Sequence, residues 1–174
     1  GITVKFFVNG EEQATIVKLV DYEKIDNNTF YVGNQYTFVE NGNNRRPDII
    51  LFINGMPLVL MELKSPSKDE VGVENAYKQI RNYIKDIPSL FYYNAICVIS
   101  DLSSNKAGTI TSGLDRFMDW KCKDGSKEES GFAEFETFYE GMFQKKRLLD
   151  ILKNFILFSG TGTGRFKVLA GYHQ

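Results

Sequence analysis

The chain has 174 residues, 43% of them hydrophobic and 25% charged, the usage of an ordinary globular domain, which excludes disordered, collagenous and coiled-coil classes. A chain this long buries roughly 70% of the surface its unfolded form exposes, so one core holds it together without a disulfide or structural metal. Its 21 basic and 22 acidic residues leave a net charge of -1, which excludes a globally basic nucleic-acid binder but allows a local basic patch beside an acidic site.

Residues 2–8 are rich in β-forming side chains and run into Asn9-Gly10, the dipeptide best suited to the left-handed angles of a two-residue hairpin turn. Residues 15–20 then read as either the returning strand or a short helix. Asn27-Asn28 marks a turn before an aromatic strand over 29–38, and the polar stretch 40–46 reads as a loop. Two almost uninterrupted apolar runs follow, 49–53 and 58–61, joined by Asn54-Gly55 and bounded by Pro47, Pro57 and Pro66; they read as central strands covered on both faces. From 70 to 86 the period becomes helical, with Val73, Ala76, Ile80 and Tyr83 on one side and Lys78, Arg81 and Lys85 on the other, until Pro88 stops it. Residues 95–100 read as a buried strand with 107–112 as its partner, 124–130 as a charged surface loop, and 132–158 as amphipathic helix. Strand, strand, helix, strand and then helices define an α/β domain, a central mixed β-sheet flanked by helices.

Scarce residues remove several chemistries. His173 is the one histidine, which argues against Ser-His-Asp hydrolysis and histidine-based nucleases. Cys97 and Cys122 stand far apart with no CxxC, so structural zinc is not expected and both read as reduced, buried thiols of a cytoplasmic protein. No apolar run approaches the 18 residues of a membrane span.

What remains is carboxylate and lysine chemistry. Pro47-Asp48 stands fourteen positions before Glu62-Leu63-Lys64, placing two carboxylates and an amine at the polar ends of apolar strands, where burying charge without a use is costly. Two converging carboxylates are an oxygen-rich seat for Mg²⁺, which otherwise takes waters and phosphate oxygens. Lys64, two residues from Glu62, projects to the same strand face and can order an attacking water or offset charge on phosphate. An isolated E-x-K arises by chance about once per few hundred residues; in that bland reading Asp48 starts a strand and Glu62 and Lys64 face water. Parity supplies a structural condition. With a two-residue Asn54-Gly55 turn and regular pairing, Asp48 falls opposite Met61, on the wrong face from Glu62, so the site requires an odd loop or a β-bulge in this hairpin.

At these residues the chain resembles the PD-(D/E)xK nuclease superfamily, and within it the N-terminal nuclease domain of the restriction (R) subunit of type I restriction-modification enzymes. The likeness runs through Asn27-Asn28-Thr29-Phe30 with Gln35, Arg46-Pro47-Asp48-Ile49-Ile50-Leu51-Phe52-Ile53-Asn54-Gly55-Met56-Pro57-Leu58, Glu62-Leu63-Lys64 and Gln79-Ile80-Arg81-Asn82-Tyr83. It continues through Ser100-Asp101, Ala107-Gly108-Thr109 and Trp120-Lys121. The resemblance implies a restriction-endonuclease-like PD-(D/E)xK core that cuts double-stranded DNA, with Asp48 and Glu62 holding Mg²⁺, for which Mn²⁺ can substitute, and Lys64 as the catalytic lysine. Gln79 and Tyr83 match its Gln-x-x-x-Tyr element; sharing a helix face, they are expected to contact DNA or position the site. Arg46 is expected to touch phosphate. Related nucleases often carry a further acidic residue on a preceding helix; the resemblance assigns it to no residue here, because the chain is expected to start inside the family's domain. Methyltransferase and specificity subunits are the implied partners. ATP is expected to act only through a motor domain that this chain lacks.

On this reading residues 1–158 form the endonuclease domain and 159–174 a linker toward that motor. The run 159–167 does not fit the GxxxxGK[ST] spacing of a phosphate-binding loop and reads as mobile linker. Arg45, Arg46, Lys68, Lys78, Arg81 and Lys85 supply enough charge for a few phosphate contacts, although such residues on a helix usually form a solvated face. Two rival readings stand beside the nuclease of a restriction system: a nuclease fold kept as an inactive DNA-docking or assembly module, and a structure-specific repair nuclease of the same superfamily.

Overall fold

The computed structural model describes residues 1–65, 72–101, 103–120 and 131–171. The expected charged loop at 124–130, Lys68 and Cys122 lie outside the described residues. Two separate hairpins and an edge strand of the main sheet open the chain. β1 (Ile2–Val8) and β2 (Glu11–Val17) pair around Asn9-Gly10, so the returning strand replaces the short-helix alternative. β3 (Phe30–Asn34) follows, then β4 (Phe38–Glu40) and β5 (Asn43–Arg45), which close on Asn41-Gly42. The strand expected over 29–38 therefore breaks at Gln35, whose φ is 51°, and part of the expected loop at 40–46 is a hairpin. Its polar strands carry no β-rich pattern to reveal it.

The remaining elements build the domain. β6 (Ile49–Ile53) and β7 (Met56–Leu63) pair around Asn54-Gly55, and α1 (Gly72–Asp86) leads to β8 (Ile96–Ser100). β9 (Asn105–Gly108) and the short β10 (Met118–Asp119) complete a six-stranded mixed sheet, ordered β10-β9-β8-β7-β6-β3. Only β7 and β8 run parallel, with α1 between them in the chain; the other neighbours are antiparallel. β9 ends earlier than the expected 107–112 because Ser112 folds back on Thr109, whose N–H donates to the Ser112 hydroxyl at 3.0 Å while the Ser112 N–H donates to its carbonyl at 3.0 Å.

The expected helix over 132–158 is two helices, α2 (Gly131–Phe143) and α3 (Lys145–Asn154), broken at Gln144, where ψ is 127°. Residues beyond α3 form β11 (Ile156–Ser159) and β12 (Phe166–Leu169), an antiparallel hairpin. The Gly-rich run expected to be linker is the tip of this hairpin. β12 is tied to the domain: the Thr109 and Thr111 hydroxyls both donate to the Lys167 carbonyl at 2.8 Å, and the Lys167 amine donates to the Asn94 carbonyl.

Side-chain alternation splits the core into two layers. Ile50 and Leu60 point to one face of the sheet, where they pack with Ala76, Ile80 and Tyr83 of α1. Leu51, Ile53, Val59 and Met61 point to the other, against Phe138 and Met142 of α2 and Leu148 and Ile151 of α3. Near-continuous apolar strands follow from this two-sided burial. The same parity sends position 62 to the face covered by α1.

Candidate active site

A single extra residue decides the geometry. Near the Asn54-Gly55 turn, Ile53 pairs with Met56 and Phe52 with Pro57; beyond it Leu51 pairs with Val59 and Ile49 with Met61. Leu58 is the unpaired residue of a β-bulge, and it shifts the register by one. Carried one step further, the shifted register sets Asp48 opposite Glu62, whereas the unshifted one sets it opposite Met61. The condition read from parity is met by a bulge within β7, with the two-residue turn retained.

Asp48 is held at both oxygens. Its Oδ1 accepts from Gln35 Nε2 at 2.5 Å, and its Oδ2 accepts from the Leu63 N–H at 2.9 Å. Across the strands Glu62 is buried, its side chain 1% exposed. Lys64 Nζ donates to Glu62 Oε1 at 2.7 Å and to Gln79 Oε1 at 2.5 Å, and Gln79 Nε2 donates to the Tyr83 hydroxyl at 2.5 Å. A chain of polar contacts therefore runs from the E-x-K strand to the Gln-x-x-x-Tyr face of α1. Tyr83 is buried and Gln79 half-buried, so this face of α1 is a seam joined to the lysine, with Gln79 more enclosed than a solvated helix position would be.

Burial pushes the Glu62 carboxyl up to about 7, and the Asp48 charge adds to the rise; the Lys64 ammonium and, more weakly, the Tyr83 hydroxyl oppose it. Burial likewise raises the Tyr83 hydroxyl to about 12. Glu62 Oε2 is buried without a well-formed hydrogen bond, an arrangement that costs free energy until a cation or donor reaches it. That orphaned oxygen, on a carboxylate that feels the Asp48 charge, fits a divalent cation. Among the described residues no three His, Cys, Asp or Glu side chains come together so that they could hold a metal ion; two carboxylates with the remaining positions left to water and phosphate suit Mg²⁺. Cys97 is buried, its thiol pushed to about 12 by burial, as expected of an inert thiol.

Beside the site lies an open groove of about 640 Å³ lined by Arg46, Asn75, Lys78, Gln79, Asn82 and Tyr83 among others. Of the basic candidates, Arg45 is spent on Asp86, with Nη2 at 2.7 Å, and Arg81 donates to the Ile110 carbonyl at 2.6 Å. Arg46 and Lys78 are exposed on the groove without an ion pair among the described residues. Sequence reasoning gave Gln35 no role in the site; the available signal was its place opposite Asp48 once β3 and β6 pair, hidden by running the strand straight through it.

Fold and site together define a restriction-endonuclease-like α/β domain in which an acidic pair and a lysine meet on the helix-covered face of the central strands. Residues 1–116 match the family model described as Type I restriction enzyme R protein N terminus, and the chain belongs to that family. It is 35% identical, over its whole length, to the type I restriction enzyme HindI endonuclease subunit of Haemophilus influenzae, of which it spans 17%. It is 28% identical over 90% of its length to the type I restriction enzyme EcoprrI endonuclease subunit of Escherichia coli, spanning 50% of that protein. Among the described residues no helix is long and apolar enough to cross a membrane.

Proposed function

We propose that this chain is the metal-dependent nuclease domain of a type I restriction R subunit, hydrolysing phosphodiester bonds of foreign double-stranded DNA in the cytoplasm. The observation that carries the reading is the convergence, by way of the Leu58 bulge, of Asp48 and the orphaned Glu62 carboxylate beside Lys64. Asp48 and Glu62 would hold Mg²⁺, or Mn²⁺ in its place. When bound, the cation polarises the phosphodiester and acidifies a water. Lys64, anchored by Gln79 and Glu62, presents an ammonium that orients the attacking water and offsets charge building on the phosphate. Tyr83 holds Gln79, and through it the lysine. Arg46 and Lys78 offer the groove, which the uncharged Asn75 and Asn82 also line, to a sugar-phosphate backbone. Methyltransferase and specificity subunits, and ATP acting through a motor, belong to the whole enzyme, of which this chain is a small part.

Glu62→Ala tests the reading. Metal-dependent cleavage of linear duplex DNA should fall by at least about 10³-fold, with the melting temperature and DNA affinity no lower than in the parent. Equal cutting by variant and parent would overturn the catalytic assignment. Absence of cutting by the parent in its assembled enzyme would favour the inactive docking module, and preference for branched DNA the repair nuclease.

A further inference from the structure

We infer that Gln35 is a positioning residue for Asp48, which locks the carboxylate in the orientation that a divalent cation requires. The inference rests on the reading of Asp48 as a metal ligand and adds a residue to which that reading assigns no task.

Three observations carry it. First, the β3 and β6 register, in which Asn34 pairs with Ile49, makes Gln35 the next partner of Asp48, and its N–H donates to the Asp48 carbonyl at 2.8 Å. Gln35, Asp48 and Glu62 therefore form one row across three neighbouring strands. Second, Gln35 has φ 51°; the other described residues with positive φ are asparagines and glycines. A left-handed glutamine costs roughly 1–2 kcal/mol relative to glycine there, and backbone held in such a region clusters at functional sites. Third, its Nε2 lies 2.5 Å from Asp48 Oδ1 while the Leu63 N–H holds Oδ2. Each oxygen of Asp48 thus has one donor and keeps a lone pair for a cation.

The chemistry of the donor matters. A neutral amide fixes the carboxylate and leaves its full negative charge to the metal, whereas a lysine or arginine in the same place would compete with the cation. Residues that hold a metal ligand in this way typically change metal affinity about 10–100-fold when removed.

The test uses Gln35→Gly, which keeps the left-handed backbone and deletes the amide, and Gln35→Asn, which keeps the amide on a side chain one methylene too short. Mn²⁺ is titrated into the metal-free protein and followed by electron paramagnetic resonance, with melting in EDTA as the control for folding. Both variants should bind Mn²⁺ about 10–100-fold more weakly at a melting temperature no lower than the parent's, since glycine and asparagine suit the left-handed backbone better than glutamine does. In the assembled enzyme the half-saturating Mg²⁺ concentration should rise by the same factor, with the maximal cleavage rate recovered at high Mg²⁺, a rescue that a merely structural role would not produce. Unchanged Mn²⁺ affinity in a folded variant overturns the positioning role alone. A parent protein that binds no Mn²⁺ overturns the metal reading itself, and the positioning role with it.

Discussion

Hairpins β1–β2 and β6–β7 are closed by the same dipeptide in the same conformation: Asn9 and Gly10 have φ 53° and 87°, Asn54 and Gly55 52° and 81°. Their fates differ. Every residue of β1 and β2 is exposed, including Val4 and Phe7, and the pairing runs without irregularity. β6 and β7 sit near the middle of the sheet, buried on both faces, and their pairing is interrupted by Leu58. Turn chemistry thus sets where a hairpin bends and its first pairs. What the strands then do depends on what covers them, and in β6–β7 a one-residue irregularity converts a regular hairpin into one that aligns two carboxylates.

The largest stability difference between the two hairpins should come from truncating a side chain of each. Leu60→Ala removes a residue only 2% exposed and packed under α1, and should cost about 2–5 kcal/mol in urea unfolding. Val4→Ala, at 40% exposure, should change stability by less than about 0.5 kcal/mol; equal costs would show that β1–β2 is part of the cooperative core.

A pH series sharpens the comparison electrostatically. Because burial raises the Glu62 carboxyl to about 7 from its usual 4.5, the folded state binds that proton more tightly than the unfolded chain does. Stability of the metal-free protein should therefore fall as pH rises from about 4.5 to about 7 and stay lowered above it, by up to about 3 kcal/mol. Glu62→Gln should flatten this slope, and Mg²⁺ at pH 8 should restore stability to the parent. Glu12→Gln, which removes the exposed partner of Lys5, should leave the slope as it is.

The smallest effect concerns the turns. A Cβ at Gly10 or Gly55 meets nothing within 4 Å, so alanine at either position pays only for its left-handed backbone, about 1–2 kcal/mol. Gly55→Ala should lower global stability by that amount. Gly10→Ala should leave global unfolding unchanged and instead speed amide hydrogen exchange within β1 and β2, since that hairpin can open by itself.

Much of this arrangement was legible in the chain. The apolar runs around Asn54-Gly55 point to central strands, the helical period from Val73 to Ile84 points to α1, and parity alone requires a bulge or an odd loop for the two carboxylates to share a face. Less legible were the segments whose order depends on distant partners. β4 and β5 are polar, so nothing local distinguishes them from a loop. The apolar period of α2 continues in α3 across the break at Gln144. Ile156 to Ser159 continue that apolar character and form a strand only because residues 166–169 return beside them, beyond a Gly-rich tip that reads as a linker.

By itself the sequence determined which groups are available for chemistry, an acidic pair and a lysine at the ends of buried strands, together with its turns and its α/β character. All of these are local, written in residue type, spacing and period. Only the tertiary structure decided that Leu58 is the bulged residue, that Gln35 faces Asp48, that Gln79 joins Lys64 to Tyr83, and that Glu62 lies deep enough to keep its proton near neutral pH. Each of these depends on register between separate strands or on the packing of a helix over a sheet, and a one-residue slip in register moves every side chain of a strand to the opposite face.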